Sequence, residues 1–210
     1  MKKRITTALI LMAVGLFWTS LALGQSNATD AGQENGAYDQ ARALYQQGQY
    51  DEVVKLLAGP AAANAYDLKI NVLLARAMIA KCARMKAAGD KAYRYEIKQP
   101  YIIGIRLFKG NPTLPEPYYL IAKSLLINNR PYKASRFIEK AIYFSGPQDP
   151  HYPEYMMTKG DCWVGIMARK DRRGYDHAKK SYEMALSAAG EDSPLSARLK
   201  ARLENLEKNK

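Results

Sequence analysis

The stretch Tyr118 to Ala141, YYLIAKSLLINNRPYKASRFIEKA, constrains the fold more than any other part of the chain. Tyr118, Ile121, Ala122 and Leu125 recur at the spacing that puts them on one face of an α-helix. Asn128-Asn129-Arg130-Pro131 ends that helix, because a residue before proline is pushed out of the α region. Pro131 suits the first turn of the next helix, where a missing N–H costs little. Ala134, Ile138 and Ala141 give this second helix its own apolar face, with Phe137 beside them. Small Ala122 and Ala134 let the two backbones approach closely. Two short helices with one stripe each cannot bury both stripes alone, so the pair needs neighbours.

Those neighbours are written along the chain. In Ala37 to Leu57, Ala41 takes the small-residue place, Gly48 to Asp51 makes the turn, and Val53 and Leu57 face inward, with Gly59-Pro60 as the expected stop. The next first helix is expected from about 65 to 85, with Ala75 as its small residue. Ala122 follows Ala75 by more than Ala75 follows Ala41, so a segment is inserted, within 87–99, before Pro100 opens a short helix. The step from Ala122 to Gly165 is also long, with Trp163, Gly165 and Ile166 expected along the first helix of a fourth pair. Tyr175 to Ala178, Tyr182 and Ala185 form its partner. Ser193-Pro194 starts a last helix whose leucines make one narrow stripe.

The pattern resembles the tetratricopeptide repeat: W-x2-L-G-x2-Y, then A-x3-F, then a closing Pro, at a period of about 34 residues. The step from Ala41 to Ala75 is that period itself. Tyr118 stands for the Trp, Ile121-Ala122 for Leu-Gly, Leu125 for the Tyr, Ala134 and Ile138 for Ala and Phe, and Gly146-Pro147 closes the unit. The expected fold is all-α: a right-handed superhelix of about four antiparallel helix pairs over 37–210, plus a C-terminal capping helix. The resemblance also implies a concave groove lined by the first helix of each pair.

With the small residue of each first helix on the packed side, the expected groove residues are Tyr38, Arg42 and Tyr45, then Lys69, Arg76 and Ile79. The third pair adds Tyr119, Lys123 and Leu126, and the fourth Lys159, Arg169 and Lys170. Such a groove is basic and tyrosine-bearing, almost without acids apart from Glu116. It suits an acidic or carboxylate-ended peptide segment of a partner protein. The bland alternative is that these charges are only a solvated helix face.

The chain has 32 Lys and Arg against 20 Asp and Glu, a net charge of +12. Residues 69–109 hold ten Lys or Arg against Asp90 and Glu96, a second candidate surface built on Lys81, Arg84, Lys86, Lys91, Arg94 and Lys98. It would face anionic lipid, an anionic glycan or an acidic protein, or again only solvent. No nucleic-acid motif is present.

Lys2-Lys3-Arg4 followed by a largely apolar run to Leu23, with Ala22-Leu23-Gly24 at its end, reads as a cleaved export signal over 1–24. An inner-membrane anchor over 5–23 is the other reading. Residues 25–36, QSNATDAGQENG, read as a disordered leader. A periplasmic or secreted adaptor that helps assemble an envelope complex is the expected function.

Catalysis is not expected. His151 and His177 lack partners at triad or metal-site spacing, no cofactor box is present, and Cys82 and Cys162 form no CxxC pair. Sitting two stacked units apart, roughly 20 Å, these cysteines are expected to stay unbridged. Met156, Met157, Met167 and Met184 read as core fillers.

Overall fold

A computed structural model describes residues 26–168 and 174–208. The expected signal segment and two groove candidates, Arg169 and Lys170, lie outside the described residues. The backbone clusters into two units, Met1–Gly36 and Ala37–Lys210, and the second holds the helix pairs. The described residues form ten helices and no strand. They are α1 (Ser26–Gln46), α2 (Tyr50–Ala63), α3 (Leu68–Ala87), α4 (Tyr93–Glu96) and α5 (Lys98–Gly110). After these come α6 (Pro115–Ile127), α7 (Pro131–Ser145), α8 (Tyr152–Met167), α9 (Gly174–Ala189) and α10 (Pro194–Lys208). Residues 26–36, expected as part of a disordered leader, have helical backbone.

The pairs α3/α5, α6/α7 and α8/α9 pack together, with α10 closing the end on α9 and α8. Helix α1 meets α2 through the rings of Tyr45 and Tyr50, 5.3 Å between centres, and through Ala41, which shares a core with Val53 and Leu57. First helices stack in order: α3 packs on α6, and α6 on α8. Three of the four expected small residues, Ala41, Ala75 and Ala122, sit at zero exposure. Tyr118, Ile121, Leu125, Ala134, Ile138 and Ala141 are buried as their spacing requires. Asn129, with φ of 56°, makes the turn between α6 and α7, and Pro131 opens α7.

Three local expectations change. Helix α2 does not stop at Gly59-Pro60 but runs to Ala63; the carbonyl of Pro60 still accepts from Asn64 N at 3.0 Å, so only one donor is lost. The helix after the insertion opens at Lys98 rather than Pro100, because the insertion itself folds as α4, buries Tyr93 and Ile97, and runs into α5. Finally, the small residue of α8 that meets its partner helix is Gly160, not Gly165. A Cβ on Gly160 would lie 2.3 Å from the ring of Tyr182 on α9. One on Gly165 would meet Pro131 of the preceding pair at 2.9 Å. Both positions are close approaches, but only the first is the one within the pair.

Two apolar cores result. One runs from Ala41 to Cys162, and the second gathers Met156, Met157, Ala178, Tyr182, Ala185, Leu199 and Leu206. Met184 is not a core filler: it is 41% exposed. Among the described residues no helix is long and apolar enough to cross a membrane.

Candidate functional site

One groove of about 760 Å³ takes side chains from all four first helices and from α10. Its apolar floor includes Ile79, Leu126, Ile127 and Val164. Six cations line it: Arg76, Arg84, Lys86, Lys123, Arg198 and Arg202. Two carboxylates, Glu154 and Asp161, line it as well.

Two charge clusters organise this surface. In the first, Arg76 of α3 donates from Nε to Glu116 Oε1 at 2.6 Å and from Nη2 to Glu116 Oε2 at 3.0 Å, a two-pronged contact with α6. Its remaining prong, Nη1, donates to Glu154 Oε2 on α8 at 2.9 Å. The hydroxyl of Tyr119 donates to Glu154, that of Tyr155 donates to Glu116 Oε2 at 2.9 Å, and the guanidinium lies 4.8 Å over the Tyr119 ring. One arginine thus ties together three consecutive first helices. Each carboxylate in the cluster has the Arg76 guanidinium and a tyrosine hydroxyl as partners, and Arg76 has both carboxylates, which is what a buried ion network needs in order not to destabilise the fold.

Titration follows from this geometry. Burial alone would raise the Glu154 carboxyl; Arg76, the Tyr119 hydroxyl and Lys123 outweigh it and hold the group at about 2. Burial likewise works against the charge on Arg76, but Glu116 and Glu154 push its pKa well up. Tyr119 and Tyr155 are raised, first by burial and then by the carboxylates they bind. At neutral pH Arg76 and Glu154 therefore hold their charges, and the Tyr119 and Tyr155 hydroxyls hold their protons.

The second cluster centres on Asp161 of α8. Arg202 of α10 grips it with Nε at 2.7 Å and Nη2 at 3.1 Å, the Tyr182 hydroxyl donates at 2.9 Å, and Lys123 Nζ stands 4.0 Å away. These contacts fasten the last helix to the first helix of the fourth pair.

Both carboxylates of the groove are thus occupied, which leaves a surplus of positive charge. Arg84 donates to the carbonyl of Gly48 at 2.7 Å and lies 4.4 Å over the Tyr50 ring. Lys86 donates to the carbonyl of Ile127 at 2.8 Å and to Asn129 Oδ1 at 2.7 Å. Neither has a carboxylate partner among the described residues, and Arg198 on α10 is exposed beside the groove without one there.

The residues expected in a groove are divided by the structure. Tyr45, Arg76, Ile79, Tyr119, Lys123 and Leu126 line it; Tyr38, Arg42, Lys69 and Lys159 do not. Lys69 instead sits 4.1 Å over the Tyr38 ring. Tyr119 is 3% exposed, with its hydroxyl spent on Glu154, so it is a wall rather than a solvent-facing contact. The expectation of a groove almost without acids fails at Glu154 and Asp161.

The basic stretch 69–109 also divides. Arg84 and Lys86 turn into the groove, and Lys81 is held between Asp51 at 3.1 Å and Glu96 at 2.9 Å. Lys91, Arg94 and Lys98 remain outside and exposed.

Cys82 and Cys162 are buried free thiols, which burial pushes up to about 11 and about 12, so both stay protonated. His177 is exposed and stacks on Trp163 at 4.4 Å between ring centres. Among the described residues no cluster of His, Cys, Asp and Glu is grouped to hold a metal ion.

No protein-family model matches the chain, nor does any curated protein. A solved structure is similar: a thermophilic TPR protein of Thermus thermophilus, with a TM-score of 0.62. The match covers 85% of this chain and 86% of that one, at 17% sequence identity. A likeness at that identity is one of architecture, and it agrees with the helix pairing seen here. The chain has the fold of a tetratricopeptide-repeat protein.

Proposed function

We propose that this protein is a non-enzymatic scaffold whose groove holds an acidic segment of a partner protein. The observation that carries this reading is the charge left over in the groove. Its two carboxylates are already gripped, whereas Arg84, Lys86 and Arg198 have no carboxylate partner among the described residues. Side-chain or terminal carboxylates of a peptide would complete those positions, with Ile79 and Leu126 supplying apolar contact between them. Repeat scaffolds bind through the face their first helices share, and in the right-handed superhelix implied by the repeat that face is concave. The apolar run after Lys2-Lys3-Arg4 supports export and a role in assembling an envelope complex.

A single anionic-ligand patch over 69–109 has less support, because Lys81 is already neutralised and Arg84 and Lys86 belong to the groove. A photoreactive benzoylphenylalanine in place of Leu126 tests the reading. It should label an Asp/Glu-rich peptide and spare the same peptide with Asn/Gln, and equal labelling of both would refute a charge-selective groove.

A further inference from the structure

The outward surface of the second helices carries side chains the groove does not use. On α5, Lys98, Ile102 and Lys109 share one stripe, at i, i+4 and i+11, opposite the buried Ile103, Gly104 and Leu107. On α7, Tyr132, Arg136 and Tyr143 repeat that spacing, opposite the buried Ala134, Ile138 and Ala141. Helices α5 and α7 are the second members of consecutive pairs, so both stripes lie on the side of the stack away from α3, α6 and α8. The insertion feeds into α5 through Ile97, whose backbone stays right-handed helical, and adds Lys91, Arg94 and Tyr95.

Exposure and charge on this face are both unusual. Tyr95 is 74% exposed, Ile102 52%, Tyr132 49% and Tyr143 81%, which makes four of the six large hydrophobic side chains exposed among the described residues. Around them Lys91, Arg94, Lys98, Lys109, Arg136 and Lys140 have no carboxylate within 4 Å among the described residues; Lys98 and Lys140 rest instead over the rings of Tyr95 and Tyr118. The acids of these elements are taken: Glu96 by Lys81, and Glu139 by Lys159 at 4.0 Å. Asp90, just ahead of α4, accepts from the backbone N–H of Ala92.

We propose that this outward face docks on an anionic lipid bilayer. Tyrosine rings and an isoleucine side chain interleaved with Lys and Arg match the two layers of a membrane interface, apolar groups at the acyl boundary and cations at the phosphates. A soluble polyanion would need the cations alone, and it would leave Tyr143 and Ile102 in water. The groove faces the other way, so a docked chain keeps it open to its ligand; the docking does not depend on what that ligand is.

The test uses the full chain with the surface substitution Tyr143→Trp in a Trp18→Phe, Trp163→Phe background, so that the introduced tryptophan is the one tryptophan in the chain. Residues 1–24 contribute their own affinity for vesicles, so the readout must be local. With phosphatidylglycerol vesicles the emission of the introduced tryptophan should shift to the blue and be quenched by brominated acyl chains, and with phosphatidylcholine it should not. Adding Lys98→Glu, Lys109→Glu and Arg136→Glu should weaken the shift-generating association at least tenfold. Arg84→Glu with Arg198→Glu should leave it unchanged, which separates this face from the groove. A tryptophan that stays in water with both lipids overturns the proposal. So does a face that captures a sulfated polysaccharide while showing no lipid-dependent shift.

Discussion

Arg76 and Glu154 are 78 residues apart in sequence and 2.9 Å apart in space. Between them stands Glu116, held by the other two nitrogens of the same guanidinium. Three first helices are therefore fixed to one another by a single side chain whose charge is largely shielded from water, at 15% side-chain exposure. Apolar stripes bring the helices together, but they tolerate sliding; a forked donor facing two carboxylates does not.

Removing Arg76 should accordingly cost far more than a surface charge. Arg76→Met leaves Glu116 and Glu154 facing each other without compensation and should destabilise the fold by about 3–5 kcal/mol in chemical denaturation. Adding Glu116→Gln and Glu154→Gln should restore most of that loss. A triple variant as unstable as the single one would mean that Arg76 acts by packing alone.

Stability should also depend on pH through Glu154. Its folded pKa, about 2, lies below the ordinary value of 4.5. Its contribution is therefore complete above the ordinary value and declines as pH falls from about 4.5 towards 2. The full loss is up to about 3 kcal/mol. Denaturation midpoints followed from pH 6 to pH 2 should show this decline, and Glu154→Gln should flatten it.

Two glycines should respond in opposite directions. Gly160→Ala drives a methyl into the Tyr182 ring and should destabilise by about 1–3 kcal/mol. Gly36, inside α1 and followed by Ala37 rather than a proline, has nothing within 4 Å of an added Cβ, so Gly36→Ala should stabilise by about 0.5–1 kcal/mol. Thermal melts of both variants decide the matter, and equal effects would contradict the close approach of α8 and α9.

Much of the architecture can be read from sequence, because a stripe of apolar residues declares its own helix. Tyr118 to Ala141 is such a case, and Ala41 and Ala75 extend it at the repeat period. The fourth pair resists the same reading because α8 has two glycines, Gly160 and Gly165, and only the position of Tyr182 distinguishes them. The site is harder still. Helical phase tells which way Arg76 points, but not that two carboxylates from other helices point back.

A trace of that answer does exist. Pro115-Glu116 and Pro153-Glu154 open α6 and α8 with the same dipeptide, at the same separation as Ala122 and Gly160. Equally, Arg76, Lys123 and Asp161 each follow the small residue of their helix. Aligning the fourth unit on Gly160 puts Glu154 and Asp161 in the groove. By contrast, Arg198 and Arg202 carry no such mark, since α10 stands outside the repeat.

The most direct test is the affinity of a fluorescent Asp/Glu-rich peptide for the full chain, measured by anisotropy beside the Arg84→Glu/Arg198→Glu variant. Both positions lie outside the buried clusters, so the variant should keep its helical circular dichroism; Arg84→Glu gives up the Gly48 carbonyl and the Tyr50 ring, so the affinities are compared well below the melting midpoints of both proteins. The account predicts at least a hundredfold weaker binding, about 2.7 kcal/mol, with the wild-type affinity falling as salt is raised. Equal affinity of the two folded proteins for the peptide would contradict it.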